Sequence, residues 1–439
     1  MKEQAEEIAR EMAEVRAATT ELFDTAREED LRESPGFGFR PVVWHLAHIG
    51  VFEAYWLLQK LRGEPPPDDH YERVFDPIQT PREESKNLPS RREMEGYLAR
   101  VRERSLRSLE ETDFDSPDPL LRKGYVFRLV LEHERQHQET LAYLLQLLDP
   151  SKKTRPAVVV PTTAEASLLT SETSPATRAR DMLDVPEGPF EMGAVWDSFA
   201  YDNEYPAHTV SIPAFKIARL PVTNEEFADF VAERGYERRE FWSEEGWQHR
   251  ERENWTCPLY WRREGANIWH ARTMFDSGAL KHDHPVSGVS WHEAEAYARF
   301  CGKRLPTEAE WEKAASWDGA RKRRYAWGDA EPADALANYG ARRWDTTPVG
   351  SFPAGASPYG CLDMTGNVWE WTSTPFDAFP GFRPFPYPEY SEVWFDGDHR
   401  VLKGGSWATS APVLRASFRN FFRRHFRIAF AGLRLAEDA

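Results

Sequence analysis

Cysteine is scarce in this chain. Its 439 residues contain three, Cys257, Cys301 and Cys361, and no two form a CxxC pair. A disulfide-stapled scaffold is therefore excluded, and so sparse and odd a count fits a reducing compartment. Long apolar runs are missing as well: no stretch of about 18 apolar residues occurs, which excludes an α-helical membrane span. The opening residues, MKEQAEEIAREMAEV, are charged and lack an apolar h-region. They read as a helix rather than a secretory leader, and the protein is expected in the cytoplasm. Positive charge is also in deficit. With 56 Lys and Arg against 72 Asp and Glu the net charge is −16. That excludes a general binder of nucleic acid or anionic membrane, since both depend on a positive field.

Aromatic residues, by contrast, are plentiful: 17 Trp, 26 Phe and 15 Tyr point to aromatic-rich, loop-rich packing somewhere in the chain. The length suggests two or three domains. Residues 1–150 read as all-helical, because segments 3–32, 40–62, 90–112 and 118–148 carry apolar residues at three-and-four spacing, as in VVWHLAHIGVFEAYWLLQKL and LVLEHERQHQETLAYLLQLL. Four such helices predict a bundle. The link 63–89 resists helix through its prolines and charges, and a long connection of this kind often lines or covers a site. Residues 151–184 are rich in Ser, Thr, Pro and Ala without a sustained period and read as a linker. From 185 to 439 short β-prone runs, Gly, Pro and Trp predict an α+β or loop-dominated domain. One helix start is well signalled there, by the capping box of Thr307 and Glu310.

The stretch LEHERQHQET places His133 and His137 four residues apart, on one helix face. WHLAHIG places His45 and His48 on a strongly apolar helix, where an unpartnered imidazole is unfavourable to bury. One of these two facing the bundle interior would complete a three-histidine site, built from facing helices as bundle metal sites usually are. Neutral imidazoles without thiolate suit Zn, Fe or Cu and leave positions open for substrate or oxygen. Glu139 turns off the ligand face.

The order of motifs carries a family resemblance. WHLAHIG followed by HERQHQE is similar to the iron-binding motif of the DinB-like bundle in the sulfoxide synthases of ergothioneine biosynthesis. The second half resembles the formylglycine-generating-enzyme (sulfatase-modifying factor) domain, with its C-type-lectin-like fold, through VPEGPFEMG, LPVTNEEFADFV, HPVSGVSWHEAEAYARFCGKRLPTEAEWEKAA, GCLDMTGNVWEWT, RVLKGGSW and FAGLRLA. No cysteine follows Cys361, so formylglycine generation itself is excluded. The resemblance implies an α+β protein in which His48, His133 and His137 hold Fe(II), O2 is co-substrate, and hercynine and a thiol donor are joined. It implies Tyr387 as proton donor, with Gln136, Tyr390, Asn420 and Phe421 positioning hercynine. An aromatic face beside a quaternary ammonium group makes physical sense. Arg82 resembles an arginine of the family's donor-binding loop, and Asn367 with Glu370 resembles a calcium-binding stretch.

The chain departs from the pattern at the donor. Where the branch using γ-glutamylcysteine has an Asp and an Arg, RNFFRRHFRIAF places Phe422 and Phe426, which cannot form ion pairs with the donor's charged ends. Arg423, Arg424 and Arg427 crowd the same stretch and offer another geometry for a carboxylate. Free cysteine, γ-glutamylcysteine and, as in the related selenoneine synthases, a selenosugar stay open as donors, as does the oligomeric state. A non-catalytic module holding a structural Zn is the rival from a different class.

Overall fold

The computed structural model describes residues 2–36, 38–77, 80–81, 85, 87–156, 181–196, 198–265 and 268–439. Arg82 and most of the expected linker 151–184 lie outside them. The chain divides into two compact units, Met1–Ala157 with Met274–Asp276, and Val158–Thr273 with Ser277–Ala439.

The first unit is helical. Helix α1 (Lys2–Asp24) buries Ile8, Met12, Val15, Thr19 and Leu22, a stripe in steps of four and three. The segment 3–32 is not one helix: the Thr25 hydroxyl donates to the Leu22 carbonyl at 2.7 Å, the chain turns, and a short α2 (Glu28–Leu31) follows. Helix α3 (Trp44–Ala54) is buried along Trp44 to Val51, so it is the central helix, and it continues as a π-helical turn, Tyr55–Lys60. The long connection carries α4 (Asp69–Val74), started by the Asp68 carboxylate accepting from the amides of His70 and Tyr71. Helix α5 (Arg91–Glu110) starts at a capping box of Ser90 and Glu93. It approaches α3 at Gly50, where a Cβ would lie 2.9 Å from Leu98 Cδ1. Helix α6 (Tyr125–Leu147) starts later than the sequence pattern suggests. Gly124 has φ +71° beside Ile8, and a Cβ there would meet Ile8 Cδ1 at 2.8 Å. That reversal stops the helix from reaching back to residue 118.

A buried ion network ties these helices together. Arg16 of α1 donates to Glu134 of α6 at 2.8 Å and to Glu53 of α3 at 2.9 Å, and Arg102 of α5 donates to Glu53 at 2.9 Å. Burial alone would raise the Glu53 carboxyl, but Arg102 and Arg16 outweigh it and hold the group below the usual carboxylate range.

The second unit is built of short elements. Strands β1 (Met182–Val185) and β4 (Phe215–Ala218) pair antiparallel, and β12 (Ala436–Asp438) adds to β4; β2 (Gly188–Met192) pairs with β3 (His208–Ile212). Helices α7 (Asn224–Ala232) and α8 (Glu244–Arg252) precede a three-stranded meander of β5 (Trp261–Glu264), β6 (Ile268–Arg272) and β7 (Ser277–Ala279). After α9 (Trp291–Phe300) and α10 (Glu308–Ser316) comes a sheet in the order β10 (Asn420–Arg423), β9 (His399–Lys403), β8 (Trp369–Pro375), β11 (Ala431–Leu433). Only β8 and β11 in it run parallel. Helices α7, α9 and α10 all begin at capping boxes, Thr223 with Glu226, Ser290 with Glu293 and Thr307 with Glu310. A helical bundle followed by a loop- and sheet-rich domain is the α+β architecture expected.

Trp311, Trp369 and Trp371 are fully buried in this unit, and so is Arg434. Arg434 donates to both oxygens of Glu370 at 2.7 and 2.9 Å, and Trp311 Nε1 donates to the same carboxylate at 2.7 Å. Asn367 Oδ1 accepts the Thr347 amide at 2.9 Å. The two residues that the sequence offered to calcium are thus engaged within the protein, as a clamp on the core.

Candidate metal centre and substrate residues

Helix α3 contributes His48 and α6 contributes His133 and His137, one turn apart. One ligand nitrogen from each lies within 4.8 Å of the others. His48 is buried, while His133 and His137 are half-buried. The long connection does line this site: the Phe75 carbonyl receives His48 Nδ1 at 2.8 Å. A carbonyl can only accept, so Nδ1 carries the proton and Nε2 keeps its lone pair for a metal. Trp44 stacks on the His48 ring at 4.6 Å and donates its Nε1 to the Val74 carbonyl at 3.1 Å, fixing the same geometry from the other side.

The other ligand rings are also oriented. His45, the helix α3 histidine that the resemblance does not make a ligand, has its Nδ1 3.1 Å from His137 Nδ1, so one of the two donates and the tautomers are coupled. Phe52 stacks face-on against His133, with centroids 3.6 Å apart and planes 6° from parallel. Sequence reasoning missed Phe52 and the Phe75 carbonyl. Phe52 was visible only as the residue one turn after His48, and a backbone acceptor has no sequence signal at all.

Burial pushes the His48 imidazole down to about 4, with the Phe75 hydrogen bond pulling the other way. Burial first, and then the neighbouring imidazoles, hold His133 and His137 well below the usual histidine range. All three are neutral near pH 7, which is the ligand form. His133 Nδ1 is buried without a partner, a polar atom left for a ligand to satisfy. The cluster fits a single transition-metal ion held by three imidazoles with positions left open.

Gln136, one residue before His137, is half-buried on α6. Apart from Arg82, which is outside the described residues, the remaining expected site residues lie in the second unit, and most of them come together there. Tyr390 stacks on Tyr201 at 3.9 Å, Tyr387 meets Tyr390 edge-on at 6.3 Å, and Phe421 meets Tyr390 edge-on at 6.4 Å. Phe376 covers one face of Phe421 at 3.9 Å. Asn420 begins β10 and its Oδ1 accepts the Phe421 amide at 2.9 Å. Arg423 is exposed, two residues after Phe421 on β10, with its Nε 4.0 Å from Asp398. Its neighbours are engaged: Arg424 with Asp398 and Glu245, Arg427 with Glu293 at 2.8 Å. Phe422 and Phe426 stack on each other at 4.5 Å.

Residues 11–141 match the DinB superfamily model, and residues 169–439 match that of the sulfatase-modifying factor enzyme 1-like domain. Fold and site together define a protein that couples a DinB-type bundle bearing a three-histidine metal cluster to a sulfatase-modifying-factor domain. A hercynine oxygenase of Mycolicibacterium smegmatis is 40% identical to it over 449 residues, 99% of either chain, and one of Mycobacterium tuberculosis 42% identical over 444 residues, again 99% of either. The chain belongs to the hercynine oxygenase family. The formylglycine-generating enzyme of Mycobacterium tuberculosis, 38% identical, covers only 47% of this chain and 77% of its own length. Among the described residues no helix is long and apolar enough to cross a membrane.

Proposed function

We propose that the chain is a nonheme Fe(II) enzyme that uses O2 to join the sulfur of a thiol donor to the imidazole ring of hercynine, leaving that sulfur as a sulfoxide. The observation that carries this reading is the set of three imidazoles within 4.8 Å of one another, in a chain 40% identical end to end to a hercynine oxygenase. In the reaction O2 takes up four electrons. Two come from replacing a ring C–H and the donor S–H by a C–S bond, and two from oxidising the sulfur. One oxygen atom stays on sulfur and the other leaves as water with the two hydrogens.

His48, His133 and His137 hold the iron, while His45 and the Phe75 carbonyl keep two of the rings in register. Fe(II), when bound, supplies the one-electron chemistry that O2 requires and coordination positions for substrate. Tyr387 is the proton donor, and its phenol delivers a proton that the product water needs. Gln136, Tyr390, Asn420 and Phe421 position hercynine, an aromatic ring being a suitable neighbour for its trimethylammonium group. Arg423 contacts the donor.

The test is anaerobic loading with Fe(II), then exposure of hercynine with cysteine, γ-glutamylcysteine or a selenosugar to air, read by mass spectrometry. The expected product has the mass of hercynine plus donor plus one oxygen, less two hydrogens. Absence of a C–S or C–Se adduct with every donor, from iron-loaded protein, would sink the proposal.

A further inference from the structure

The second unit carries another cluster of metal-ligating side chains, remote in sequence from the bundle histidines. Helix α8 presents Glu245 and His249 at a spacing of four, hence on one face. His292, the second residue of α9, comes to meet them. One ligand atom from each of the three lies within 4.8 Å of the others, and the rings of His249 and His292 lie 5.4 Å apart at 24°. Gly246 admits His292, since a Cβ there would sit 3.0 Å from His292 Nδ1.

An independent observation is the state of His292. It is 1% exposed, and neither ring nitrogen has a hydrogen-bond partner. A neutral imidazole has one donor and one lone pair, and burying both unsatisfied is unfavourable. A cation on one nitrogen satisfies the lone pair. We propose that Glu245, His249 and His292 form a second metal site that takes a divalent ion of the zinc class. Two imidazoles and a carboxylate are the donors of zinc and its first-row neighbours, whereas calcium and magnesium prefer oxygen throughout. An ion held there clips α8 to α9.

The surrounding charges permit this. Arg424 donates to Glu245 Oε1 at 2.9 Å, lies 2.7 Å from Oε2, and also donates to Asp398 at 3.2 Å. Each carboxylate oxygen has a second lone-pair direction, so Glu245 is shared between guanidinium and ion. Arg252 meets His249 Nδ1 at 2.5 Å and competes for it, but its side chain is 59% exposed and can swing into solvent. His425 stacks on His249 at 4.9 Å.

The site shares no residue with the iron site, so the two readings stand or fall separately. Metal-free full-length protein is titrated with Co2+, whose absorption reports coordination, and bound Zn2+ is counted after gel filtration. Wild type is expected to bind two equivalents. The His133→Ala, His137→Ala double variant removes the bundle site and is expected to keep one, with a rise in melting temperature on adding Zn2+. Glu245→Gln or His249→Ala in that background is expected to weaken binding by more than about tenfold, while Arg252→Ala tightens it. Both α8 positions are half-buried; should the double variant fail to fold, Glu245→Gln in the otherwise native chain is expected to lower the count from two to one. Loss of all binding in a folded double variant, or a second equivalent untouched by Glu245→Gln and His249→Ala, would overturn the proposal.

Discussion

A histidine ligates only through a nitrogen that has kept its lone pair, and for His48 the carbonyl of Phe75 decides which nitrogen that is. His45 acts likewise on His137, through a contact between two Nδ1 atoms that a phenylalanine of similar shape cannot make. His45→Phe is therefore expected to weaken Fe(II) binding by roughly 10- to 100-fold, measured by anaerobic equilibrium dialysis, while circular dichroism stays unchanged. An undiminished affinity would reduce His45 to packing. A different histidine reports on stability. Burial pushes His284 down to about 4, and its Nδ1 lies 2.8 Å from Thr346 Oγ1. The folded-state value is depressed below the ordinary 6.5. As pH falls below 6.5 the unfolded chain takes up a proton that the folded chain refuses until about pH 4. Stability present above pH 6.5 is lost across that window, by about 3 kcal/mol in total. Denaturant melts of wild type and His284→Asn at stepped pH are expected to converge by that amount, and parallel curves would refute it.

At the scale of elements, the bundle is joined by charge as well as by apolar stripes. Glu53 is 0% exposed and accepts from both Arg16 and Arg102. Removing one partner of a buried network leaves the others uncompensated, which typically destabilises by about 3–5 kcal/mol. Glu53→Ala is expected to lower the unfolding midpoint of the helical unit accordingly, and a change below about 1 kcal/mol would mean that water reaches the two guanidinium groups. None of these pairings was legible in the sequence, because period reveals which face is buried but not which charges meet across helices. The breaks were equally hidden: Thr25 closes α1 with one side-chain hydrogen bond, and α6 starts only after Lys123 and Gly124, both at positive φ, with Gly124 packed beside Ile8, a contact distant in sequence. In the second unit the strands run three to seven residues, too short for alternation to show, whereas the capping boxes were visible because their chemistry is local.

For the whole molecule, three of the five histidines of the helical unit could be drawn into one cluster from spacing and motif, since helix geometry converts an interval of four into a shared face. The second cluster escaped although Glu245 and His249 also stand four apart, because its third member, His292, comes from another helix, 43 residues after His249. The donor is where sequence and structure bear on one another most directly. The resemblance puts the donor's charged ends at positions 422 and 426, and here those are Phe422 and Phe426, stacked on each other. Arg424 and Arg427 are committed to Asp398, Glu245 and Glu293, which leaves exposed Arg423 as a single cation for the donor where the pattern has an Asp and an Arg. A charge-assisted hydrogen bond contributes about 1.5–3 kcal/mol, which corresponds to roughly tenfold to a hundredfold for each carboxylate left unpaired. γ-Glutamylcysteine, with a carboxylate at either end, loses more by this than cysteine does. The expected outcome is a kcat/KM for cysteine at least equal to that for γ-glutamylcysteine in competition assays on the iron-loaded chain. Phe422→Asp with Phe426→Arg is expected to shift the ratio toward the dipeptide by about tenfold or more. A wild-type preference for γ-glutamylcysteine above about tenfold would show that the dipeptide's carboxylates are held by groups other than these.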